Sequence, residues 1–83
     1  MTTEQFYQIA SCASMIQDLA NEGAMESNAL RIELDNCDIE KVGGRYSNFV
    51  ECVNRAQEIE LAKAKIEERI KAKNEELQKL INQ

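Results

Sequence analysis

Apolar and small residues recur along the first half of the chain at alternating steps of three and four: Phe6, Ile9, Ala13, Ile16, Ala20, Gly23, Ser27, Leu30, Leu34 and Cys37. That spacing lines one face of an α-helix. In heptad terms Phe6, Ala13, Ala20, Ser27 and Leu34 take position a, and Ile9, Ile16, Gly23, Leu30 and Cys37 take position d. The second half repeats the pattern, with Phe49, Ala56, Lys63, Ile70 and Leu77 at a and Cys52, Ile59, Ile66, Lys73 and Leu80 at d. Between the halves stands Gly43-Gly44, two residues free to take the positive φ that ends a helix and reverses the chain. The pattern predicts an all-α, coiled-coil-like antiparallel helical hairpin in one domain spanning 1–83. Its parts are a helical arm over 3–41, a turn over 42–45 and a long helix over 46–82.

Local signals add to this. Thr2 followed three residues later by Gln5 is a capping box, in which hydroxyl and amide satisfy the orphan N–H groups of a helix start. The second arm contains no Gly or Pro and carries acid-to-base pairs four apart at Glu51/Arg55, Glu67/Lys71 and Glu75/Lys79. The first arm is less uniform, because Gly23 costs about 1 kcal/mol relative to Ala inside a helix and Asn21 is a tolerable terminator. Two readings are therefore open there: one continuous helix, or a break at Gly23 giving helices over 3–21 and 24–41 and a three-helix arrangement. Unchanged heptad phase across Gly23 favours the continuous helix. With the arms antiparallel and a facing d, every pair centres on Gly43. Ala20 then lies opposite Ile66, Gly23 opposite Lys63, and Leu34 opposite Cys52. The small residues Ala13 and Gly23 leave room for the stems of Lys73 and Lys63.

Apolar residues also fall off the main stripe. Met25, Ala29, Ile32 and Ile39 lie on the far side of the first arm, and Val50, Leu61 and Ala64 do the same on the second. A two-helix hairpin can bury only one face of each arm. The residues left over are expected to meet a second copy, forming a helical-bundle oligomer, a different protein partner, or, in the three-helix arrangement, a folded-back N-terminal helix. Tyr7, Met15, Arg45 and Tyr46 are candidate recognition residues, since Tyr and Arg are enriched at binding hot spots.

Composition narrows the function. With 43% hydrophobic and 30% charged residues and neither Pro nor Trp among 83 positions, the chain has the profile of a long-helix protein. Net charge is −5, divided as −6 over residues 1–42 and +1 over 43–83. Direct nucleic-acid binding is disfavoured by that balance, because it rests on Lys and Arg neutralising phosphates. No apolar run approaches the roughly 18 residues a membrane span needs, and no basic leader opens the chain.

Candidate chemistry is sparse. There is no histidine, no Gly-rich phosphate loop and no nucleophile with an identifiable base, so no enzyme activity, cofactor or metal is expected. The three cysteines, Cys12, Cys37 and Cys52, include no Cys-x-x-Cys pair. They fit reduced thiols in a cytoplasmic setting, with Cys37 and Cys52 as small core residues flanking the turn and Cys12 at an edge. A redox or disulfide role is the alternative for Cys37 and Cys52, which share one end of the hairpin although Phe49 and Leu34 are their closer expected partners. The leading expectation is a non-catalytic, self-associating protein-interaction module acting as a small adaptor, chaperone or inhibitor. The alternative is an acidic decoy that mimics nucleic acid, presenting Asp18, Glu22, Glu26, Glu33, Asp35 and Asp38 to a basic protein surface.

Overall fold

The computed structural model describes all 83 residues and consists of two helices, α1 (Thr3–Val42) and α2 (Tyr46–Ile81), packed antiparallel along their full length. At 1.5 Å per residue, the 40 residues of α1 account for a molecule 63 Å long and only 14 by 12 Å across. Its radius of gyration, 18.7 Å, far exceeds the roughly 12 Å of a globular domain of this length.

The ends of α1 are fixed by local chemistry. The Thr2 hydroxyl accepts the Gln5 N–H at 3.1 Å and the Gln5 side-chain oxygen accepts the Thr2 N–H at 3.5 Å, completing the capping box. At the other end the Arg45 N–H donates to the Glu40 carbonyl (3.1 Å) and the Gly44 N–H to the Lys41 carbonyl (3.2 Å). This nested pair is the Schellman motif. Only one of the two glycines uses its freedom: Gly44 has φ 72°, whereas Gly43 keeps a helical φ of −73°.

The helix runs through Gly23 without interruption, so the three-helix arrangement is not formed. The reason lies across the seam. A methyl group built on Gly23 would stand 3.6 Å from Ile66 Cγ2, an ordinary packing distance, so Gly23 is a point where α2 presses on α1. A Gly23→Ala substitution is accordingly expected to stabilise the hairpin by about 0.5–1 kcal/mol through helix propensity and the added contact. Thermal denaturation followed by circular dichroism should register this as a rise of several degrees in Tm. A fall would mean that the site has no room for the methyl group.

On α2 the buried and half-buried residues follow the heptad expected from the sequence, from Phe49 and Cys52 through Ile66 to Leu77 and Leu80. On α1 the stripe needs correction. Ile9, Ile16, Gly23, Leu30 and Cys37 do face α2. Their seam partners are Gln5, Cys12, Leu19, Glu26, Glu33 and Glu40, each one position before the expected Phe6, Ala13, Ala20, Ser27, Leu34 and its successor. Phe6 and Leu34 are about half exposed, at 57% and 49%.

Polar pairing explains how this less apolar edge is chosen. The Gln5 amide donates to the Leu80 carbonyl (3.2 Å), the Cys12 thiol donates to the Lys73 carbonyl (3.4 Å), and the Glu33 carboxylate accepts from Arg55. Cys12, expected at an edge, is therefore buried. Arg55 is drawn across the seam and away from Glu51, and none of the three expected pairs within α2 forms. The one ion pair inside that helix is Lys73–Glu76, at 3.0 Å. Cross-seam contacts nevertheless centre on residues 43 and 44, where the chain turns.

Candidate interaction surfaces

A two-helix seam shields little. Six side chains are buried: Cys12, Leu19, Cys37, Cys52, Ala56 and Ile66. Thirteen large hydrophobic residues stay exposed, distributed over two grooves on either side of the seam and over the outer helix backs.

One groove is laced with charge. It is lined in its middle by Met15, Asp18, Glu22, Arg69, Lys73 and Glu76, and nearer the turn by Ala29, Ile32, Glu33, Arg55 and Glu58. Arg69 pairs with Glu22 at 3.9 Å and Arg55 pairs with Glu33. Heptad spacing from Ile32 puts Met25 and Ile39 along the same edge of α1, and both are exposed.

The opposite groove is the more apolar at the turn end. Leu30, Leu34 and Cys37 of α1 face Phe49, Val53 and Ala56 of α2, with Asp38, Lys41 and Glu60 at the rim. Seven-residue spacing carries the α1 side of this groove from Leu34 back through Ser27, Ala20 and Ala13 to Phe6. The stripe expected to form the hairpin core is thus divided. One half packs inward, and the other lines an open groove.

The residues expected to form one interface do not come together. Met25, Ala29, Ile32 and Ile39 border the charged groove. Val50 and Ala64 share a helical edge with Gln57 on the apolar side, and Leu61 stands on the back of α2, 64% exposed. Tyr7 is exposed and stacks edge-on against Phe6, with ring centroids 5.8 Å apart. Met15 lines the charged groove beside Lys73. Tyr46 is exposed, and Arg45 is tied to Glu40 instead of reaching outward. Leu30, Phe49 and Val53 do not read as surface residues in the sequence, because Leu30 and Phe49 fit a fully buried seam and Val53 adjoins one. Only the rotation of α1 exposes their common groove.

The carboxylates of the acidic half are spread as well. Glu22 and Glu33 face arginines, Glu26 is half-buried at the seam, Asp18 lines the charged groove near Arg69, Asp38 lies on the apolar groove and Asp35 is exposed elsewhere. No single acidic face results.

Two carboxyls are held below their ordinary value of 4.5. Glu33 is lowered chiefly by the hydrogen bond from Arg55, against an opposing cost of burial, and Glu40 chiefly by that from Arg45, again against burial, with Asn48 adding a second donor at 3.3 Å. A depressed carboxyl contributes stability that is complete above the unfolded-state value and is lost as pH falls through that value towards the folded one. Melts stepped from about pH 6 to pH 3 should therefore show Tm falling below roughly pH 5. The Glu33→Gln/Glu40→Gln double variant should fall less steeply. Parallel curves would remove these pairs as the source.

No helix of the chain is long and apolar enough to cross a membrane. No family model, curated protein or solved structure matches the chain.

Proposed function

We propose that the chain is a non-catalytic protein-interaction module, a helical hairpin that pairs with a second copy of itself and serves in that form as a small adaptor, chaperone or inhibitor. The observation supporting this reading is the imbalance between six buried side chains and thirteen exposed large hydrophobic ones. The accessible surface, 6162 Å², exceeds by roughly a fifth the ~5,000 Å² of a compact monomer of this mass. That excess is larger than the ~800 Å² that each partner buries in a stable interface of standard size.

The occupant favoured for the apolar groove is a second hairpin. Ala13, Ala20 and Ser27 at its centre let another helix approach closely, with Phe6 and Leu34 as larger contacts at the two ends. Its rim carries both signs of charge, Lys41 against Asp38 and Glu60, as a self-complementary twofold contact requires. Two hairpins joined there make a four-helix bundle.

Light scattering at micromolar concentration tests the reading. The expected mass is twice the 9.4 kDa of one chain. Leu34→Glu should reduce it to the monomer with helical circular dichroism retained, and Ile32→Glu on the other groove should leave it unchanged. A wild-type mass of one chain would end the self-association proposal. Dissociation by Ile32→Glu alone would move the interface to the charged groove.

A further inference from the structure

Each helix brings one cysteine to the seam close to the turn. Cys37 and Cys52 are both buried, at 5% and 4% exposure, and both are free thiols. Their mutual placement follows from the Glu33–Arg55 contact, which ties α1 to α2 one helical turn further from the hairpin bend. Four residues on from Glu33 is Cys37, and three residues back from Arg55 is Cys52, so antiparallel packing sets the two thiols face to face. Arg55 also donates to the Cys52 sulfur, Nη2 to Sγ 3.0 Å, so its guanidinium joins the Glu33 carboxylate to that thiol. The Cys37 thiol is pushed up from its ordinary value, first by burial and then by the neighbouring Cys52. The third thiol stands apart. Cys12 lies towards the open end of the seam and donates to the Lys73 carbonyl.

We infer that Cys37 and Cys52 are a redox pair, closing to an intrachain disulfide by exchange with a low-molecular-weight disulfide such as oxidised glutathione. Cys52 acts first: when the turn end of the hairpin opens locally the reagent reaches its sulfur beside the half-exposed Arg55 guanidinium, while the Cys37 thiol is held protonated by burial and by its neighbour. Its sulfur loses a proton to solvent and attacks one sulfur of the reagent. A Cys52–glutathione bond forms, the reagent's S–S bond breaks, and the departing glutathione thiolate takes up a proton. Cys37 then gives up its proton and attacks the Cys52 sulfur, and the second glutathione leaves as its thiol. In sum, two cysteine thiols are oxidised by two electrons and one disulfide is reduced to two thiols. The product closes a loop of 16 residues around the Gly43-Gly44 turn. It fastens the end of the hairpin that shapes the Leu34–Phe49 groove.

The test uses the full chain, incubated with oxidised glutathione at mildly alkaline pH, alkylated and analysed by intact mass and peptide mapping. The expected product has lost two hydrogens, carries a Cys37–Cys52 crosslink with Cys12 alkylated, and melts about 10 °C higher, an increase that dithiothreitol reverses. In Cys37→Ser the reaction should stop with one glutathionyl group on Cys52. The inference is overturned if the wild-type chain accumulates only glutathionyl adducts, forms crosslinks between chains, or pairs through Cys12. It is also overturned if Cys37→Ser acquires no adduct on Cys52.

Discussion

Ile66→Ala is expected to lower stability by about 2–4 kcal/mol. Ile66 and Leu19 are the bulkiest of the six buried side chains, and Ile66 lies against the bare backbone at Gly23. Shortening it to alanine leaves glycine opposite alanine. Because native domains retain only about 5–15 kcal/mol, such a loss removes a large share of the total. Urea denaturation followed by circular dichroism, repeated at several protein concentrations, should show the midpoint falling with little change in slope. An unchanged midpoint would refute a seam held together by these few apolar contacts. Adding Gly23→Ala should recover part of the loss, since the two positions touch and their effects are not additive.

Gly44→Ala should cost about 1–2 kcal/mol, and the whole cost is conformational. A β-carbon at Gly44 would meet nothing within 4 Å, but φ is 72°, where an L side chain crowds its own carbonyl. Gly43 presents the opposite case. Its backbone is helical, and an added β-carbon would come 2.7 Å from an Arg45 guanidinium nitrogen, the movable end of a flexible side chain. Gly43→Ala should therefore cost less, chiefly by disturbing the partly exposed Glu40–Arg45 pair. Parallel thermal melts give the comparison. If Gly43→Ala proves the more damaging, the assignment of the two roles within the turn is wrong.

The second helix was readable from its residues because its alternatives are poor: shifting its stripe by one position would place Asn48, Arg55, Arg69 and Glu76 in the seam. The first helix offered two stripes that share Ile9, Ile16, Gly23, Leu30 and Cys37. Counting apolar residues favours the edge with Phe6 and Leu34. The folded chain uses the edge with Cys12 and Leu19, because Arg55 satisfies Glu33 there, Gln5 reaches the Leu80 carbonyl, and Arg45 holds Glu40 beside the turn. The Glu33–Arg55 and Gln5–Leu80 partners lie 22 and 75 residues apart in the chain, beyond any local pattern. The same rotation moved the open apolar groove to Leu34 and Val53 and set Cys37 facing Cys52, where the sequence pattern had paired Cys52 with Leu34. The cap at Thr2 and the reversal at Gly43-Gly44 were legible because their partners lie within a few residues.

The Gln5 side chain reaches the carbonyls of both Leu80 and Gln83, which places the beginning and the end of the chain side by side. Anything attached at either end departs from the pole opposite the turn, some 60 Å away by the length of the molecule. The hairpin then behaves as a peg. Anchored at its base by one or both ends, it presents the Leu34–Phe49 end of the apolar groove near its tip at a fixed reach, while a bulky tag at either terminus sits beside the Phe6 end of that groove.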